Sequence, residues 1–265
     1  MSVYKSIKNE AGLCLRDNWL SAAAVVSLPI ALVILWIAVF SLNYSLLASG
    51  NRALALAVSL LGALIMLLSL SLMLGVLRWF CAVANGKKTE ISEVFYYYSS
   101  FGLFFRSLAL SFVVLLRVLL IGAVCFLPFI LISILLSQDF YDATGFIAPT
   151  ILPVLWPLTY LFFLFGMFCF IAATARTALV PMLFVINNGV KPAEALRKSK
   201  ALMEGKGRMW LGFFFSMFGW LAFGILGIPL FYTLPLIITS LAVFSNFVIK
   251  EHRAECKFWG KEPLV

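Results

Sequence analysis

Long runs without a single charged residue dominate the hydropathy pattern of this chain. The apolar positions do not alternate at a strand period, and they do not form the one-sided stripe of a helix on a soluble core. They fill whole windows of about 20 residues, the length a helix needs to cross the hydrocarbon of a bilayer. The pattern predicts spans over about 19–42, 53–77, 110–137, 149–175, 209–228 and 230–249. A further apolar tract, Thr177–Ile186, follows the fourth span. Gly227, Pro229 and Pro235 are expected to mark a tight turn between the last two spans. The first run begins at Trp19, is too long for a secretory apolar region and lacks a small-residue cleavage site, so it reads as a retained span. The expected fold is all-α and integral to the membrane. Six transmembrane helices form three hairpins within one membrane domain covering 1–265.

A semi-polar segment precedes each hairpin, over about 3–16, 89–106 and 192–204. The last is the clearest amphipathic helix. Ala195, Leu196, Ser199, Leu202 and Met203 share one face at a helical period, and Glu194, Arg197, Lys198, Lys200 and Glu204 fill the other. Pro192 suits a first helical position, Gly205 suits the stop, and Glu194 and Lys198 are spaced for an ion pair. In the middle segment Glu90 and Glu93 suit a helix start, and its aromatics, from Phe95 to Phe105, suit the headgroup belt. The first segment carries a weaker apolar stripe of Val3, Ile7, Ala11 and Cys14. Ser92-Glu93-Val94-Phe95 and Ala193-Glu194-Ala195-Leu196, each followed by an arginine where a span begins, hint at a repeated unit.

Composition agrees with a lipid-solvated fold. Apolar residues make up 63% of the chain and charged residues 12%, against about half and a quarter in soluble domains. The formal net charge is +9, from 20 basic and 11 acidic residues. Placement decides what that charge means. Lys5, Lys8 and Arg16 precede the first span, and Arg78, Lys87, Lys88 and Arg106 lie between the second and third. Arg176, Lys191, Arg197, Lys198, Lys200, Lys206 and Arg208 lie between the fourth and fifth, and Lys250, Arg253, Lys257 and Lys261 follow the sixth. The alternate connections hold only Arg52. This asymmetry predicts both termini in the cytoplasm. It favours anionic lipid headgroups over nucleic acid as the partner of the basic residues. The plainer alternative is that these charges only set topology.

Arg117 lies inside the third apolar tract. Counted inward from Arg106 at about 1.5 Å per residue it falls near the midplane. Counted back from Gln138 and Asp139 it falls near the inner boundary, where an arginine can reach the headgroups. Arg176 ends the fourth span in the same way.

Little in the sequence suggests catalysis. The single histidine, His252, lies in the polar tail, and no predicted span holds an Asp, Glu or His. The five cysteines have no CxxC spacing and read as small apolar fillers and free thiols. No catalytic histidine constellation or phosphate-binding glycine loop occurs, so no enzyme and no cofactor are expected.

One stretch carries a resemblance. Leu179-Val180-Pro181 is followed by Ala195-Leu196-Arg197-Lys198-Ser199-Lys200-Ala201-Leu202-Met203-Glu204-Gly205, then by an aromatic-rich span ending near Phe218-Gly219-Trp220. This resembles an uncharacterised family of six-helix bacterial inner-membrane proteins, akin to the membrane domain of some glycerophosphoryl diester phosphodiesterases. The catalytic domain of those enzymes is absent, so the resemblance implies a fold and a membrane but no activity. The expected role is a scaffold, assembly factor or lipid-interacting protein of the inner membrane. Its candidate surface is Lys87, Lys88, Arg106, Arg117, Arg176, Arg197, Lys198, Lys200, Lys206 and Arg208. Expected partners are anionic membrane lipids, with a protein partner or a second copy of the chain as the other occupants. The alternative role is a small transporter or channel with a site near Arg117, suggested by prolines and glycines in the spans.

Overall fold

A computed structural model describes residues 3–135, 152–187, 190–224 and 230–258. Among these residues the fold is entirely helical. The α-helices are α1 (Val3–Leu15), α2 (Trp19–Ala48), α3 (Arg52–Ala84), α4 (Phe101–Leu135), α5 (Leu152–Thr174), α6 (Val180–Ile186), α7 (Pro192–Leu202), α8 (Gly207–Gly224) and α9 (Leu230–Phe258). Two 3-10 segments, Ile91–Tyr98 and Ala175–Thr177, complete the fold.

Five stretches are long and apolar enough to cross a membrane: Trp19–Ala48, Arg52–Ala84, Phe101–Ile134, Pro157–Ile186 and Leu230–Ala254. This is the pattern of a multi-pass membrane protein. α8 is not among them. It has 18 described residues, opens on Gly207 and Arg208, and carries further glycines that lower its hydropathy. The rest of the fifth expected span, 225–228, lies outside the described residues, as do Gly227 and Pro229 of the expected turn and the outer turn around Asp139. Pro235 was expected at that turn but lies inside α9, in its second turn. There it cannot donate to the Phe231 carbonyl, so α9 lacks one intrahelical bond near its start.

α2 and α3 pack along each other across a turn closed by Gly50, whose φ of +78° suits glycine. Asn43 Nδ2 donates to Ser59 Oγ at 2.9 Å near that turn. α4 and α5 pack through Phe126, Phe129, Phe163 and Phe170, and Gly166 brings α5 to within 2.8 Å, measured from a built Cβ, of the Cys125 carbonyl. α8 and α9 pack through the stacked rings of Phe213 and Phe244, 4.6 Å apart.

Burial is uneven along these pairs. In α2 the buried residues are Ala22, Val25 and Val26, all near its start. In α3 nearly all follow Ile65 and run to Val83, with Trp79 and Phe80 fully buried. Beyond these zones α2, α3, α4 and α5 expose large apolar side chains on most faces, among them Ile34, Leu64, Leu120 and Phe165. One end of the fold is therefore packed like a soluble core, and the helices project from it as apolar rods whose natural solvent is lipid.

α1 belongs to the packed end. Its buried stripe is Ile7, Ala11 and Leu15, which corrects the expected one: Val3 is exposed and Cys14 half-buried. The stripe packs on α9 and α3. Tyr4 lies against Gly212 of α8, and Lys8 Nζ donates to the Ser216 carbonyl at 2.7 Å. α7 has the expected capping and face. It starts at Pro192, buries Ala195, Ser199 and Leu202, and ends before Gly205 at φ +75°. The Glu194–Lys198 pair closes at 3.0 Å.

Candidate functional site

The chain between α3 and α4 differs most from its expected form. The second span was expected to stop at Leu77, but α3 continues to Ala84, which places Arg78 on a helix and half-buries it. The aromatic segment 89–106 is also not one helix. Ile91–Tyr98 is a 3-10 segment, and the Ser99-Ser100 pair then lets α4 begin at Phe101. The Ser100 hydroxyl accepts from the Leu103 N–H at 3.3 Å, as a helix cap does. Arg106 thus belongs to α4. The hinted counterpart 192–202 is α-helical, so the two segments do not share a backbone.

The 3-10 segment folds back along α3. Val94, fully buried, seats its main chain against Gly75 so closely that a built Cβ would overlap the Val94 carbonyl oxygen. Only glycine permits this approach. Tyr98 donates its hydroxyl to the Leu68 carbonyl at 2.5 Å, two turns nearer the start of α3. The same docking brings Glu93, Tyr96 and Tyr97 around Arg78. The Arg78 guanidinium lies 3.7 Å from the Tyr96 ring centre, and its Nε is 3.7 Å from Glu93 Oε2. Stacking and ion pairing at such distances fix an arginine's plane. Tyr97 is buried beside it, stacked 6.0 Å from Phe184 of α6. Burial pushes the Tyr97 hydroxyl pKa up to about 12, opposed in part by the Arg78 charge. Arg106 approaches Phe184 from α4, 5.8 Å from its ring centre.

Next to this cluster a cavity of about 230 Å³ opens between the carboxyl end of α3, the following turn and α6. Arg78, Asn85, Lys87, Lys88, Thr89 and Glu93 supply its polar lining, and Cys81, Ala82, Val185 and Ile186 its apolar lining. Gly86, at φ +71°, turns the chain so that Lys87 and Lys88 face back toward the helix they follow. Asn85 is held from two sides: its Nδ2 donates to the Cys81 carbonyl at 2.7 Å and its Oδ1 accepts from Asn246 of α9 at 3.1 Å. The Thr89 hydroxyl is shut off from solvent and has no hydrogen-bond partner among the described residues. An unsatisfied buried hydroxyl costs about 1–3 kcal/mol.

Of the expected surface residues, Lys87 and Lys88 line this cavity, and Arg106 lies near it through Phe184. The others do not join them there. Arg176 is exposed, and its carbonyl accepts from the Ser199 hydroxyl at 2.8 Å. Arg197, Lys200 and Arg208 are exposed, Lys198 is paired with Glu194, and Lys206 Nζ lies 2.6 Å from Glu251 of α9. Arg117 is half-buried, two helical turns beyond Leu110, the last fully buried residue of α4. Arg78, Asn85, Thr89 and Glu93 were not singled out by the sequence as site residues. The signal for them was the run Asn85-Gly86-Lys87-Lys88-Thr89, a turn with two adjacent charges, whose folding back onto Arg78 is a tertiary event. Among the described residues no three His, Cys, Asp or Glu converge as metal ligands.

A second, larger groove of about 810 Å³ lies between α1 and the α8–α9 pair. It is polar at Lys5, Lys8 and Asn9 and apolar at Trp220, Tyr232 and Leu236. Comparison with protein-family models, with curated proteins and with solved structures finds no match to this chain.

Proposed function

We propose that this chain is a six-span protein of a bacterial inner membrane with both termini in the cytoplasm, and that it acts without catalysis as a lipid-interacting scaffold. In this reading α2–α3, α4–α5 and α8–α9 are three hairpins. The packed end, with α1, α6, α7 and the 3-10 segment, stands against the inner leaflet, and the projecting halves of α2 to α5 are the lipid-embedded part.

One observation carries the reading. Most of the basic side chains and the interfacial aromatics gather at the packed end, while the projecting helices present apolar side chains. That division is what an anionic headgroup layer beneath a hydrocarbon layer would select. Arg117 fits at the boundary, since it follows the last buried turn of α4 and its long side chain can reach back to headgroups. The expectation drawn from the Leu179–Pro181 and Ala195–Gly205 runs, a resemblance to six-helix inner-membrane proteins, is in keeping with this role.

The test is native mass spectrometry of the chain released from nanodiscs containing equal amounts of anionic and zwitterionic phospholipid. Retained lipid enriched in the anionic species supports the reading. Retained lipid in the bulk ratio refutes it. Reconstituted solute flux that disappears in Arg117→Ala would replace it with the transporter reading.

A further inference from the structure

We propose that the cavity at the carboxyl end of α3 binds a phosphate-monoester anion, with Lys87, Lys88 and Arg78 meeting its charge and Thr89 its oxygens. This rests on the reading of the basic end as a lipid-facing surface, and it names the chemistry of one site within that surface.

Space is sufficient. The cavity of about 230 Å³ is more than ten times the roughly 10–15 Å³ that one water requires by the same measure. It therefore has room for a phosphate group and its nearest waters, but not for a bulky polymer.

Charge has the right sign even after its opponents are counted. Three cationic side chains line the cavity. Glu93 cancels one of them, and the carboxyl end of α3 contributes about half a negative charge. A surplus of about one and a half positive charges remains, which excludes a cation as the natural occupant and favours a dianion.

The donors differ in the way a phosphate site needs. Arg78 is held in place by Tyr96 and Glu93, so it presents a fixed charge rather than a mobile one. Lys87 and Lys88 are exposed, in no ion pair among the described residues, and free to close over a bound group. Thr89 holds a buried hydroxyl with no partner among the described residues, which an incoming oxygen would satisfy. Asn85 and Gly86 set the turn that brings these groups together. A phosphate monoester of this kind is presented either by a lipid such as phosphatidate or by a free phosphate compound.

The experiment uses the full chain in nanodiscs of zwitterionic lipid. Inorganic phosphate is titrated in one arm and a short-chain, water-soluble phosphatidate in the other, with short-chain phosphatidylcholine as the control. The variants are Lys87→Gln/Lys88→Gln, which changes only exposed side chains, and Thr89→Val, which keeps the shape and removes the hydroxyl. Saturable binding that the double variant weakens about tenfold or more, and that Thr89→Val weakens several-fold, supports the site. Tighter binding of phosphatidate than of phosphate, with the same sensitivity to both variants, identifies a lipid headgroup as the source. Equal binding of the two identifies the free anion. No saturable binding of either probe, or binding that both variants leave unchanged, overturns the site. Enrichment of anionic lipid on the wild-type chain can persist in that case, so the failure of this site and the failure of the wider reading give different results.

Discussion

Replacing Gly75 by alanine places a methyl group where the main chain of Val94 already lies. The new Cβ would sit 2.8 Å from the Val94 carbonyl carbon and 3.3 Å from its Cα, and would overlap the carbonyl oxygen. Ordinary carbon contacts begin at about 3.5 Å. The obstruction is backbone, so no rotamer change relieves it, and the 3-10 segment must move away from α3. Overpacking of this kind costs about 1–3 kcal/mol. The retreat also separates Tyr96 from Arg78, a stacked cation worth about 0.5–2 kcal/mol. The expected loss is about 2–4 kcal/mol, concentrated on residues 91–98. Hydrogen exchange read by mass spectrometry resolves this: amide protection in 91–98 should fall at least about tenfold, since each 1.4 kcal/mol is a factor of ten. Gly219→Ala is the control, because nothing lies within 4 Å of its added Cβ. It should leave that segment unchanged and slightly favour α8. Native protection of 91–98 in Gly75→Ala would refute the close docking on which the Arg78 cluster depends.

Three further outcomes follow from the same geometry. Tyr97 should keep its proton up to about pH 12, whereas an unfolded tyrosine loses it near 10. The stability this confers is complete below about pH 10 and declines as the pH rises toward 12, a slope that alkaline unfolding should show and Tyr97→Phe should flatten. Ser199→Ala removes the 2.8 Å hydrogen bond to the Arg176 carbonyl from a fully buried site and should cost about 1 kcal/mol in detergent unfolding, while Lys200→Ala, on the exposed face, should cost far less. The Lys206–Glu251 pair ties the start of α8 to α9, and a double-mutant cycle should give a coupling of about 0.5–1 kcal/mol that weakens with added salt.

The apolar runs could be read from sequence because lipid leaves no alternative for a charge-free stretch of such length: Trp19–Ala48 emerges as continuous helix, as does the charge-free run 230–249 within α9. The local rules also worked where one element decides its own shape, as in α7, with Pro192 at its start and Gly205 beyond its end. What sequence concealed was tertiary. Ile91–Tyr98 has the composition of an interfacial helix, yet Gly75 on another element lets it dock as a 3-10 segment. Arg78 looked like the first charge of a loop, but Trp79, Phe80, Cys81 and Val83 after it are buried in the core, and that packing carries α3 on to Ala84. The stripe of α1 was misplaced by one step because Val3 and Leu15 are equally apolar, and only the surfaces of α3 and α9 decide which is covered. Lys87 and Lys88 were visible as charges. Their convergence with Arg78, Thr89 and Glu93 depends on the turn at Gly86 and the fold-back of the segment that follows.

The orientation of the basic end is the claim on which the rest stands, and labelling of single cysteines tests it most directly. In a background freed of the five native cysteines, Ser49→Cys marks the α2–α3 turn and Lys88→Cys marks the cavity. Intact cells are treated with a maleimide that cannot cross the inner membrane. The account predicts that Ser49→Cys is labelled at once, and that Lys88→Cys is labelled only after the membrane is permeabilised. Labelling of Lys88→Cys in intact cells, with Ser49→Cys protected, would contradict the account, because the basic surface would then face away from the cytoplasm.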